Sequence, residues 1–189
     1  LALVALAIAL SLQQIRSYDY WWQLRTGALI AETGSVPQVD PYTYTVPGAR
    51  WIDVHWLFQV GLHGVFELGG HEGVVLAKAA WVLALLGLLG GIAHRRGRGF
   101  VTAGALGLLL LVACDRIMPR PELVSFVLLA AVVALLERFA RRGDGWLYAV
   151  VPIQLLWANL HGLFAVGIAL CALHLLAEGL RPLRRRDAS

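Results

Sequence analysis

Long apolar runs separated by short arginine clusters constrain this chain more than any other feature of its sequence. Six apolar segments can be laid out, at 1–15, 73–93, 100–115, 122–137, 146–160 and 162–178. Spanning a bilayer takes roughly 20 predominantly apolar residues, and the run at 73–93 reaches that length. Arg95, Arg96 and Arg98 lie between the second and third segments. Arg138, Arg141 and Arg142 lie between the fourth and fifth, and Arg181, Arg184, Arg185 and Arg186 follow the sixth. Ten of the sixteen basic residues thus occupy alternate connections. Positive charge in short loops is retained on the cytoplasmic side. The remaining connections, 16–72, 116–121 and the tight turn at 159–161, are therefore expected outside.

Composition supports the same class. The chain is 59% hydrophobic with a mean hydropathy of +0.69. Only 15% of its residues are charged, against about 25% in soluble domains. The expected fold class is an all-α polytopic membrane protein with about six transmembrane helices, residues 1–189 forming one transmembrane domain. Its first partner is membrane lipid. The net charge of +4 sits in arginine clusters beside apolar runs, which is a topology signal and not a nucleic-acid surface. Cys114 and Cys171 both fall in apolar segments and form neither a disulfide framework nor a zinc-type spacing. The chain opens at Leu1 inside an apolar run and closes in a basic run. It is expected to be the N-terminal part of a longer protein, entered partway through its first helix.

The one long polar stretch is 16–72. It opens with Ser17-Tyr18-Asp19-Tyr20-Trp21-Trp22-Gln23-Leu24-Arg25-Thr26-Gly27. A helix is expected over about 20–33, with Asp19 able to cap its N-terminus and Gly34 ending it. Its Trp21, Trp22, Leu24, Ala28, Leu29 and Ala31 would let it lie in the membrane interface. Pro37, Asp40-Pro41 and Pro47-Gly48 around Tyr42-Thr43-Tyr44-Thr45 predict an extended, turn-rich middle. A second amphipathic helix is expected over about 53–68, ended by Gly69-Gly70. The first external loop therefore carries two juxtamembrane helices.

With that topology, eight of the twelve carboxylates lie outside: Asp19, Glu32, Asp40, Asp53, Glu67, Glu72, Asp115 and Glu122. Asp19, where the chain leaves the bilayer, reads either as a general base or as a helix N-cap. Arg116, Arg120 and Lys78 have the chemistry to hold a phosphate, although Lys78 equally reads as a lysine reaching up to the interface. Met118-Pro119-Arg120-Pro121-Glu122 is a stiff turn that aims Arg120 and Glu122. Asp19 and Glu122 suit a hard divalent cation such as magnesium or manganese, and Glu122 equally suits the positive end of a helix dipole. Arg25, Asp40, His55, Asn159 and His161 are candidate substrate contacts. No P-loop, nucleophile elbow or His-Glu-x-x-His motif is present.

Asp19 through Gly27, followed by Gly34-Ser35-Val36-Pro37 and Asp40-Pro41-Tyr42, resembles the first external loop of the GT-C membrane glycosyltransferases. That superfamily includes the oligosaccharyltransferase catalytic subunits and the protein mannosyltransferases; bacterial members of unassigned substrate look most similar. The resemblance implies a protein of the bacterial inner membrane and cell envelope. It implies a polyprenyl-phosphate-linked sugar donor and an inverting transfer at the outer face. Asp19 matches the position of the acid that serves as base or positions the acceptor. Glu122 matches a second acidic motif that some members use with a metal, although the clear Asp-x-Asp of those members is replaced here by Asp115-Arg116. Two other functions remain open. A transporter or flippase of a lipid-linked or anionic substrate predicts midplane charge and broken helices in symmetric pairs. A non-catalytic membrane scaffold predicts tolerance of changes at Asp19 and Arg120 and sensitivity on the surface of 53–68.

Overall fold

The computed structural model describes residues 1–94 and 99–186, with side chains described through residue 180. Arg95, Arg96 and Arg98, and the side chains of Arg181, Arg184, Arg185 and Arg186, lie outside the described residues. Among the described residues the fold is all-helical. The elements run α1 (Ala2–Ser11), α2 (Asp19–Thr33), α3 (Trp56–His94), α4 (Gly99–Val112), α5 (Pro121–Arg142), α6 (Val150–Leu160) and α7 (Phe164–Arg186). Short 3-10 turns at Cys114–Arg116 and Gly145–Ala149 precede α5 and α6. The Pro-rich middle of the first loop is extended as expected, with one antiparallel bridge between Val39 and Arg50.

Two helices, α3 and α5, are long and apolar enough to cross a membrane. Helices α1, α4, α6 and α7 are apolar but shorter over their described residues, whereas α2 is not among the apolar helices. In α3 the expected surface helix and the following apolar segment form one element, bent at Gly70 (φ 62°, ψ −154°). Only glycine adopts that conformation without strain. The first arm, 56–69, therefore turns away from the second, 71–94. The arm starts at Trp56 and not at Asp53, because the Asp53 carboxylate accepts the His55 backbone N–H at 2.9 Å and holds a turn ahead of the helix.

Helix α2 forms where expected and ends at Gly34 (φ 67°), but its buried face is not the apolar one. Tyr20, Gln23, Thr26, Gly27 and Ile30 are buried, whereas Trp21 is 60% exposed. The reason is close packing on the first arm of α3. A Cβ at Gly27 would lie 2.1 Å from the Gln59 carbonyl oxygen and 2.9 Å from the His63 Cβ, so only glycine admits this approach. Small and hydrogen-bonding residues therefore line the contact in place of the larger apolar ones.

Three apolar clusters hold the rest. Ala7, Val82, Leu86, Leu106, Leu110, Ile117 and Leu123 join α1, α3, α4 and α5. Tyr20, Leu62 and Val74 join α2 to both arms of α3. Val132, Leu136 and Trp157 join α5 to α6, with Leu170 of α7 packed against them. At the far end, Arg138 pairs with Asp144 at 2.7 Å and lies over the Trp146 ring. Its hydrogen bond holds the Asp144 carboxyl below the usual range.

Gly27→Ala is expected to destabilise the protein by about 3 kcal/mol, the cost of forcing a methyl group into a close-packed backbone contact. Thermal unfolding in detergent measures it. A melting temperature equal to wild type would overturn the close-packing account.

Candidate functional site

Arg120 sits at the N-cap of α5 with extended backbone (φ −123°, ψ 154°), between Pro119 and Pro121. The two prolines restrict the turn and fix where the side chain starts. Its Nη2 lies 2.8 Å from Oδ2 of Asp19, and its Nε donates to the Ser17 hydroxyl at 2.9 Å across 103 residues of sequence. The Trp22 indole N–H donates to the other Asp19 oxygen at 3.4 Å. Asp19 is thus not a helix cap. Tyr18 takes the N-cap position with helical backbone and no side-chain capping bond, and the Asp19 carboxylate turns to the guanidinium instead. Both side chains keep solvent contact, 33% for Arg120 and 47% for Asp19, so the pair is screened and open to exchange of partners.

Below the pair lies a cavity of about 320 Å³. Its walls include Leu62 and Val74 from the two arms of α3, Leu123 and Leu128 from α5, and Leu160 from α6. Lys78 and Arg120 are the only charged side chains lining it. Lys78 is 2% exposed and does not reach for the surface. Its ammonium donates to the Gln13 carbonyl at 3.0 Å. Arg116, grouped with these two on sequence grounds, is exposed and lines a separate cavity of about 440 Å³ between α3, α4 and α5. The two cavities share only the Leu123 wall.

A second polar cluster forms where α6 ends. The His161 Nδ1 and the Ser125 hydroxyl are 2.8 Å apart, and the Trp157 indole N–H donates to the same hydroxyl at 2.8 Å. Indole only donates, so the Ser125 hydroxyl accepts from Trp157; a hydroxyl accepts as well as donates, so its bond with His161 runs in whichever direction the imidazole tautomer sets. The His55 ring stacks on His161 at 5.2 Å. Burial lowers the His161 pKa; the Glu122 charge opposes that and His55 adds to it. Among the described residues, one Glu122 oxygen, Oε2, is buried without a hydrogen-bond partner.

The remaining expected contacts divide. Asn159 joins this edge structurally, accepting from the Trp56 indole at 3.1 Å and donating to the Leu155 carbonyl at 2.8 Å. Arg25 pairs with Glu32 at 3.3 Å on the exposed face of α2 and is not brought to the cavity. Asp40 closes a local turn: its carboxylate accepts from the Thr43 hydroxyl and from the Tyr42 and Thr43 amides. Led by the Thr43 hydroxyl, those bonds hold its carboxyl below the usual range. Of the expected Asp19 and Glu122 metal pair, Asp19 is engaged by Arg120, and no group of three or more His, Cys, Asp or Glu among the described residues is placed to hold an ion.

Sequence reasoning missed Ser17, Gln13 and Ser125. Ser17 and Gln13 carry no signal, because their partners are distant in sequence and Gln13 contributes only its backbone. Ser125 does carry one, as a single hydroxyl inside the apolar run 122–137 near its outer end, since a polar group there needs a partner. No family model, curated protein or solved structure matches this chain.

Two outcomes follow for this region. A double-mutant cycle of Asp19→Ala and Arg120→Ala, read by thermal unfolding, is expected to give a coupling of about 1 kcal/mol or less, as for other part-exposed pairs; a several-fold larger value would mean the pair is dry. For His161 the folded pKa lies below the unfolded value, so the unfolded chain takes up a proton first as pH falls. The melting temperature should therefore drop between about pH 7 and 5. His161→Gln, which keeps an acceptor for Ser125, should flatten that drop, and an unchanged slope would assign it to other groups.

Proposed function

We propose that this chain belongs to a multi-pass membrane glycosyltransferase of the GT-C kind, which moves a sugar from a polyprenyl-phosphate carrier to an acceptor at the outer face of the membrane. The observation that carries the reading is the Asp19–Arg120 pair at 2.8 Å, set at an apolar cavity that also holds Lys78. A lipid-linked phosphate needs apolar walls for its chain, cations for its headgroup, and a carboxylate beside the reacting carbon. These three features lie together here. The multi-pass part is supported by apolar side chains left in the open on the shorter helices. Phe100 is 94% exposed and Val112 76%, and Leu173, Leu175 and Leu176 of α7 are similarly uncovered. Soluble monomers rarely expose contiguous apolar patches of such extent. Six crossings, with 16–72 outside a bacterial inner membrane, complete the proposal.

The chemistry follows from the pair. The donor phosphate draws Arg120 from Asp19 and Lys78 from the Gln13 carbonyl. Both cations then neutralise the charge that builds on the phosphate as its bond to the anomeric carbon breaks. The acceptor hydroxyl attacks that carbon from the opposite face, which inverts it, and the freed Asp19 carboxylate takes the hydroxyl proton. The bonding electrons leave with the phosphate. Among the remaining candidates, we assign His55 and His161 to hold the acceptor. No step requires a metal.

A transporter of lipid-linked anions would use the same cavity and cations, so binding alone does not separate the readings. The test pairs binding of polyprenyl phosphate with sugar transfer from its glycosylated form, in nanodiscs. Arg120→Ala is expected to weaken binding by about tenfold, the loss of one charge-assisted contact. Asp19→Asn should still bind yet lose transfer at normal expression. Wild-type transfer by Asp19→Asn would overturn the catalytic role. Tight binding with no transfer of any sugar would favour the transporter, and no binding at all would favour a scaffold.

A further inference from the structure

The second cavity, next to Arg116, is a site of its own. It is about 440 Å³ in volume and is walled by Leu86 of α3, Leu110 of α4, and Leu123, Phe126 and Val133 of α5. Arg116 is its single charged lining residue, at the turn joining α4 to α5. The Asp115 carboxylate on the same turn does not line it. Arg120, by contrast, is committed to Asp19 and Ser17 and lines the other cavity. Among the described residues, no carboxylate pairs with Arg116.

The dimensions indicate what lies there. From Leu123 to Val133 the groove follows ten residues of α5, about 15 Å at the helical rise of 1.5 Å per residue. The hydrocarbon core of a bilayer is about 30 Å thick, so the groove is as long as one leaflet. A tail lying along it would bring its headgroup to Arg116, whose guanidinium matches phosphate oxygens. We infer that the α3–α4–α5 groove binds a second lipid, an anionic phospholipid of the same leaflet, with its phosphate on Arg116 and one chain along Leu110, Phe126 and Val133. The inference rests on the membrane-spanning reading above and not on glycosyl transfer. It makes Leu123 the partition between two lipid sites, each served by one arginine of the same turn.

The test counts lipids. The protein is held in phosphatidylcholine nanodiscs, titrated with phosphatidylglycerol, and released for native mass spectrometry. Arg116→Gln is expected to lose one bound phosphatidylglycerol relative to wild type, with about tenfold weaker apparent affinity. Arg116→Lys should restore part of it. Ala113→Trp, which fills the mouth beside an intact Arg116, should lose the same lipid, whereas Arg120→Ala should keep it. Inorganic phosphate should not displace it. Equal lipid counts in wild type, Arg116→Gln and Ala113→Trp would overturn the site, and displacement by inorganic phosphate would reduce it to a free-anion site. Loss with Arg120→Ala but not with Arg116→Gln would leave only the first cavity as a lipid site.

Discussion

The contact of Gly27 with the Gln59 carbonyl sets the geometry on which everything at the candidate site depends. It allows α2 to lie directly against the first arm of α3, closer than any side chain would permit. That arm in turn is aimed by the bend at Gly70. Two glycines, one without the volume of a methyl group and one free to take a left-handed backbone, thereby place the start of α2 beside the turn that precedes α5. Asp19 and Arg120 meet because of backbone packing made elsewhere.

The pair itself is weak by design of its surroundings. Half-exposed ions in contact contribute little to stability, and an arginine held also by Ser17 keeps its position when the carboxylate lets go. In the proposed mechanism a phosphate replaces Asp19 as the partner of Arg120. Apart from Arg120 and Lys78, the described residues lining the cavity are apolar or glycine. A charge placed at its edge is felt more strongly there than in open water. Lys78 makes the same point from the opposite wall. It is buried and donates to a backbone carbonyl.

The His161 cluster is built differently. Ser125 sits between Trp157 and His161, taking the indole proton and sharing a second hydrogen bond with the imidazole. Glu122 beside it has an oxygen with no partner among the described residues, and its charge pulls against the burial that keeps His161 neutral.

The amino-acid sequence by itself determined the helical class and the positions of most helices. It also determined the ends of α2 and of the first arm of α3, because apolar runs, prolines and glycines act locally, through propensity and hydration. Charge patterning grouped Asp19, Arg120 and Lys78 as candidates, and the structure sets Arg120 against Asp19 and beside Lys78 at one cavity. Tertiary structure decided the rest. It turned Asp19 from a helix cap into the partner of Arg120, and it separated Arg116 from Arg120 although four positions divide them. It buried Gln23 and Thr26 of α2 beside Tyr20 and Ile30 while leaving Trp21 exposed, and it left Arg25 and Asp40 in local contacts away from the cavity. These outcomes depend on which backbones approach closely and which cavities remain between helices. Both are sums over contacts between residues far apart in sequence, and no local pattern encodes such sums.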